Sequence, residues 1–469
     1  MMQGMIRRRP APAALAMMAL VAMMAMVGTV SALGGEASAD GSELAYARVD
    51  IAAIGPTRLQ ELETTPDLGW WVELDDQLLV LAAEDTLATL ATGFTVERLA
   101  VEPRPERLYR VLGARRGDLA VMDVDVLAMG GRQAVIQARG DERPVPPQRH
   151  HAAVVRFMPN AVLARQLANQ VPPRIPLLPH AATLIGDVDG QRWLNAVETL
   201  ASYNRWTHGS EILDARDWLV QQFEALPGLS VETTVFEVGG TAAYNVIATL
   251  PGTVLPQELF IVGGHYDSTS QSPSTAAPGA EDNASGCAGV LEMARVFTAH
   301  PPEATVLFIC YSGEEQGLFG SVDHASQLVA AGLDDDVQAV LTMDMIGYTG
   351  DPDLDCLLET SSQYAALADA FAAAAELTDL RIVISFNPFG SDHVPYLNRG
   401  MPALLTIEND WDSYPCYHRT CDTPENLTLA MGREILEMNV ATLAQLIGTA
   451  GTIFIDGFES GDTSAWSGR

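Results

Sequence analysis

Positive charge is what this sequence has least of for its size. Lys and Arg total 27 against 60 Asp and Glu, a net charge of −33 over 469 residues. Nucleic acids and anionic lipid surfaces are held by basic patches, so the balance argues against either as a partner. Cysteine is also scarce, and five residues cannot all pair within one chain. The close pair Cys416 and Cys421 is the best candidate bridge. Cys287 lies on a helical pattern and Cys310 in an apolar strand, so both read as core residues, and Cys356 is left unassigned. Long apolar runs are missing except near the N-terminus, where Arg7, Arg8 and Arg9 precede an apolar stretch from Ala13 to Val27 and a small-residue "ASA" before Asp40. That order predicts an export signal over residues 1–39, with a run short for a membrane span. The expectation is a secreted or periplasmic protein with no membrane contact after signal removal.

What is present points to a large folded chain, since 48% of the residues are hydrophobic. Residues 40–170 mix strand-like runs ("LLVLAA", "AVIQA") with helical patches and carry no cluster of histidines and carboxylates. They read as a smaller α+β pro-region or accessory domain. The adjacent His150 and His151 sit beside a proline-rich stretch and receive no role. A second proline-rich stretch, "VPPRIPLLP", predicts a linker over 171–182.

From 183 to 450 the pattern changes. Trp193, Leu194, Val197 and Leu200 mark one helical face, and Ile212, Ala215, Leu219 and Phe223 mark another. "LFIVGG", "TVLFICY", "VQAVLTM" and "PALLTIE" are short apolar runs separated by helical segments, as for strands buried on both faces. The fold class predicted is α/β, with a mixed, mainly parallel central sheet flanked by helices. Residues 451–469 read as a detached tail.

In such sheets functional groups gather beyond the carboxyl ends of the strands. His265 and Asp267 follow "LFIVGG", Glu314 and Glu315 follow "TVLFICYSG", Asp344 follows "VQAVLTM", and His418 lies in the loop after "PALLTIE". Asp282 precedes a helix that begins near Ser285. Carboxylates gathered at one sheet edge repel one another unless cations sit between them. Two divalent ions resolve that conflict: His265, His418, Asp282, Glu315 and Asp344 bring three negative charges to four positive ones, leaving one for a hydroxide. If Asp282 bridges, each ion also receives one histidine and one further carboxylate, a nitrogen and oxygen set suited to zinc. Glu314, next to Glu315 but projecting differently, is then free to act as a base. Asp267 is placed to accept the second imidazole N–H of His265 and fix its tautomer.

The segments "GGHYDS", "PGAEDNASGCAGVLEMARVF", "YSGEEQGLFGS", "MDMIGY", "SDHVPYLNRGMPA" and "YHRTCDTPEN" occur in that order over residues 263–426. They resemble the secreted di-zinc aminopeptidases of the bacterial leucyl aminopeptidase type. The resemblance implies a zinc exopeptidase fold, two Zn2+ ions per chain and five ligands, His265, Asp282, Glu315, Asp344 and His418, with Asp282 bridging. It implies Glu314 as general base, Tyr417 as a stabiliser of the tetrahedral intermediate, and a cis peptide after Asp282. The activity implied is removal of N-terminal residues from peptides with a free N-terminus, by a hydroxide that the two ions activate. Arg419 departs from the family pattern and could grip a substrate carboxylate. It keeps a carboxypeptidase or dipeptidase on the same scaffold as an alternative, beside an inactive relative that only binds.

Overall fold

The computed structural model describes residues 43–113, 115–146, 152–170 and 179–447. The expected export signal, His150 and His151, most of the expected linker and the C-terminal tail lie outside the described residues.

Among the described residues, nine strands come from the N-terminal region: β1 (Leu44–Asp50), β2 (Leu68–Asp75), β3 (Gln77–Ala83), β4 (Val96–Arg98), β5 (Leu108–Leu112), β6 (Val124–Gly130), β7 (Gln133–Ala138), β8 (Ala153–Arg156) and β9 (Ala161–Gln166). Eight follow: β10 (Ser230–Val238), β11 (Thr241–Leu250), β12 (Leu255–His265), β13 (Ala304–Tyr311), β14 (Val337–Met343), β15 (Asp355–Thr360), β16 (Arg381–Ser385) and β17 (Ala403–Glu408). The longer helices are α1 (Pro56–Glu63), α2 (Glu84–Leu90), α3 (Pro179–Ile185), α4 (Gly190–Ala201), α5 (Glu211–Glu224), α6 (Gly286–Ala299), α7 (Phe319–Ala331), α8 (Ala365–Ala375) and α9 (Leu429–Ile447). The first four residues of α3 overlap the expected linker.

The α4 and α5 faces read from the sequence are the faces that pack. Trp193, Val197 and Leu200 are fully buried, Leu194 is partly so, and Ile212, Ala215, Leu219 and Phe223 complete the second face. Asp189 caps α4 by accepting from the Arg192 N–H at 3.0 Å. Close packing leaves no room for a side chain at Gly432 of α9, where a Cβ would lie 2.1 Å from the Trp193 ring.

Strands β13, β12, β14 and β17 are adjacent and mutually parallel, so their carboxyl ends share one edge. Antiparallel β10 and β11 flank them on one side, and β15 with β16 on the other. The mixed sheet with a parallel centre is therefore present.

The N-terminal region adds strands to this sheet. Strand β9 pairs antiparallel with β16, and β2 runs parallel to β9, so the sheet continues through β3, β1 and β4 to thirteen strands. Ala164 of β9 joins Leu357, Val383, Leu405 and Ile407 in one apolar cluster. Strand β5 with β6, β7 and β8 forms a second, four-stranded sheet. A sequence cannot show which edge strand meets which, because that pairing joins segments more than 200 residues apart.

Candidate metal centre

The shared sheet edge assembles the polar residues. His265 is the last residue of β12, Asp344 directly follows β14, Glu314 and Glu315 follow β13, and His418 lies in the loop beyond β17. Asp282 lies in a kinked turn that leads into α6, and its peptide bond to Asn283 is cis, as the family resemblance implies. The carboxylate of Asp422 holds this turn by accepting from the backbone N–H groups of Glu281 at 2.9 Å and Asp282 at 3.1 Å.

Two groups of donor atoms result, and Asp282 belongs to both: His265 with Asp282 and Asp344, and Asp282 with Glu315 and His418. The two carboxylate oxygens of Asp282 divide between them. Oδ1 lies 3.4 Å from His265 Nε2, while Oδ2 lies 2.9 Å from His418 Nε2. On the first side His265 Nε2 is 3.5 Å from Asp344 Oδ1, and on the second His418 Nε2 is 3.2 Å from Glu315 Oε2. All five side chains named as ligands are thus brought together. Glu314 belongs to neither group; its Oε2 stands 3.8 Å from His265 Nε2.

The donors fit a cation. His265 Nε2, Asp282 Oδ2 and Asp344 Oδ1 are buried and have no hydrogen-bond partner among the described residues. Imidazole nitrogens with carboxylate oxygens form a set that binds zinc. Burial first, and then neighbouring carboxylates, push Glu315 and Glu314 well above the ordinary carboxylate range, partly offset by His265. Burial works against a charge on His265 as well, but Glu314 and Asp344 outweigh it and hold the ring's pKa up. Burial alone would raise Asp282; the adjacent imidazoles of His265 and His418 reverse that and lower it. The centre as folded demands positive charge.

Asp267 has a broader part than expected. The nearer acceptor for His265 Nδ1 is the Asp267 main-chain oxygen at 3.1 Å, with carboxylate Oδ1 at 3.6 Å. The carboxylate accepts the backbone N–H groups of Glu314 at 3.2 Å and Glu315 at 3.3 Å, and the Thr207 hydroxyl at 3.0 Å. It ties the Glu–Glu turn to the strand that carries His265.

Tyr417 stacks on His418 with ring centroids 3.7 Å apart, and burial first, then Asp282 and Glu315, keeps its phenol protonated. Cys416 and Cys421 are bridged across this loop. Cys287 and Cys310 form a second disulfide, correcting their reading as plain core residues: α6 packs on β13 so that the two Cα atoms stand 5.8 Å apart. Cys356 is free and buried. Arg419 is exposed, and its side chain does not line the cavity over the centre.

That cavity measures about 20 Å3 and is lined by Asp282, Glu314, Asp344, Tyr417, His418 and, from the N-terminal region, Arg132. It has room for about one water molecule. No sequence pattern pointed to Arg132, nor to Arg115, whose guanidinium lies 4.2 Å over the Tyr417 ring and donates to the Tyr414 carbonyl. Ser391, which donates to Asp344 Oδ2 at 2.7 Å, was inside a quoted motif but was not singled out.

A parallel sheet with histidines and carboxylates at one edge defines the class as a zinc exopeptidase fold. Residues 245–443 match the model of Peptidase family M28. The LapA aminopeptidase of Legionella pneumophila shares the fold with a TM-score of 0.53 at 18% identity, over 73% of this chain and 98% of that one. A probable zinc metalloprotease of Pyrenophora teres f. teres is 36% identical over 170 residues, 35% of each chain. A probable aminopeptidase of Saccharomyces cerevisiae is 29% identical over 55% of this chain and 72% of its own. The chain spans 34% to 59% of the length of seven fungal probable zinc metalloproteases that it matches. Among the described residues no helix is long and apolar enough to cross a membrane.

Proposed function

We propose that this protein is a zinc-dependent aminopeptidase that holds two Zn2+ ions and removes N-terminal residues from peptides. One observation carries the reading: two ligand groups, each with one histidine and one carboxylate of its own, meet on the two oxygens of Asp282. His265 and Asp344 would hold one ion, His418 and Glu315 the other. The relatives described above, probable zinc metalloproteases and a probable aminopeptidase, support the same chemistry. The arginine-led, apolar N-terminal stretch supports export.

When bound, the ions supply Lewis acidity to the scissile carbonyl and lower the pKa of a water to about 7. The chain does the rest. Glu314, outside both ligand groups and facing the cavity, takes the proton on its carboxylate and returns it to the leaving amine. Asp267 holds the backbone of that turn, so the carboxylate is aimed before substrate arrives. Tyr417 keeps its proton and offers its hydroxyl to the developing oxyanion. The acidic surroundings suit a substrate's free α-ammonium group.

The test compares a peptide with its N-acetylated form on wild-type protein and on Glu314→Gln. Cleavage of the free peptide alone, with kcat lowered by roughly 100- to 10,000-fold in the variant, is expected for a general base. Equal cleavage of the acetylated peptide would overturn the aminopeptidase reading, and an unimpaired variant would remove Glu314 as the base.

A further inference from the structure

We infer that Arg132, carried into the peptidase region by the N-terminal region, is a positioning residue for Asp344 and hence for one of the two proposed metal sites. The inference rests on the two-ion reading above and makes the N-terminal region a working part of the centre rather than a removable cover.

Arg132 sits at the tip of the β6–β7 hairpin, in a two-residue turn with Gly131. Both have positive φ, +53° for Gly131 and +62° for Arg132. Such turns match the twist of the flanking strands and favour Gly or Asn, so an arginine in the second place is held in a conformation unfavourable to it. A non-glycine residue kept in that region points towards a task performed by its side chain. Gly131 is required for a different reason: a Cβ there would lie 2.2 Å from the Cβ of Ala164, so only glycine lets the tip close against β9.

The side chain is 92% buried, being 8% exposed, and makes two separate grips on the peptidase region. Nη1 donates to Glu359 Oε1 at 3.1 Å and Nη2 to the Gly390 carbonyl at 2.9 Å. Glu359 is fully buried; the same oxygen accepts the Phe389 N–H at 2.9 Å and lies 3.4 Å from His393 Nε2. One guanidinium therefore fixes both the backbone of residues 389–390 and the carboxylate that supports them. The next residue, Ser391, donates its hydroxyl to Asp344 Oδ2 at 2.7 Å. This leaves Oδ1, the oxygen with no hydrogen-bond partner, facing His265. The chain Arg132, Gly390, Ser391, Asp344 thus sets which carboxylate oxygen is presented to the metal. Partners that orient a ligand in this way are worth roughly 10- to 100-fold in metal affinity.

A lysine at 132 keeps the charge but cannot grip Glu359 and the Gly390 carbonyl together in the same fork. The experiment strips full-length protein of metal and titrates it with zinc against a chromophoric chelator. Cobalt(II) absorption reads the geometry of each site. Wild type should take up two ions. Arg132→Lys and Ser391→Ala should each weaken one ion by 10- to 100-fold and alter one cobalt spectrum, leaving the other ion bound as before. Arg116→Ala, which removes another arginine crossing between the regions, should leave both ions unchanged. If Arg132→Lys does not fold, Glu359→Gln takes its place, releasing the arginine while keeping an acceptor for the Phe389 N–H, and is expected to weaken the same ion. Wild-type affinity for both ions in folded Arg132→Lys or Glu359→Gln overturns the inference, as does equal loss of both. Fewer than two ions in wild type would instead refute the two-ion reading, and this inference with it.

Discussion

The N-terminal region and the peptidase region share one sheet but use it differently. In the N-terminal strands the buried side chains are mostly apolar: Ala45, Ala47 and Val49 pack with Leu78 and Val80 in one cluster, and Tyr46, Val72, Leu79 and Leu127 in another. In the peptidase region the strands end in buried carboxylates and histidines. Asp282, Glu314, Glu315 and Asp344 are all at least nine-tenths buried, and their mutual repulsion is unfavourable until cations arrive. One part of the sheet is complete as a folded object, while the other is folded around a charge deficit. The two meet at Arg132 and Glu359, where the N-terminal region lends the peptidase region a buried positive charge.

Metal removal should break this comparison most visibly. Zinc at about 1,000 times its dissociation constant stabilises a folded protein by about 4 kcal/mol per ion, so chelation should lower the melting temperature of the peptidase region strongly. The stripped protein should also respond to pH in a particular sense. Glu314, Glu315 and His265 all have pKa values raised in the folded state, so the folded form binds more protons than the unfolded one. Stripped protein should therefore lose stability as pH rises above about 4.5, the ordinary carboxylate value. Zinc-loaded protein should not, because ligands must shed their protons to bind metal. Calorimetric melts across pH 5 to 8, with and without chelator, check both statements.

The junction gives the next effect. Arg132→Met leaves Glu359 buried without its cation, and breaking such a pair typically costs about 3 to 5 kcal/mol. Arg116 also crosses between the regions, to Asp412 at 3.0 Å, but its side chain is 71% exposed. Arg116→Ala should change stability by less than about 1 kcal/mol. Urea unfolding of both variants would sharpen the contrast, and equal effects would show that the Arg132 pair is no more than another surface contact.

The legibility of the sequence follows the same division. Short apolar runs flanked by Gly, His, Asp and Glu carried the parallel centre and four of the five proposed ligands, because a strand end and its loop are contiguous in sequence, while Asp282 was read from the helix start that follows it. Asp267 was legible as a neighbour of His265 but not as the clamp on the Glu314–Glu315 turn, since that contact joins separate strands. The β9–β16 pairing and the reach of Arg132 were not legible at all. Both depend on contacts between segments more than 200 residues apart, for which local pattern supplies no register. The Cys287–Cys310 bridge failed for a related reason: each cysteine has an ordinary core environment, and only the packing of α6 on β13 reveals the partner.

The most direct test of the central claim is anomalous scattering at the zinc edge from crystals of the zinc-loaded protein. Two peaks are predicted, one between His265 and Asp344 and one between His418 and Glu315, with Asp282 touching both. A single peak, or none at Asp282, would contradict it.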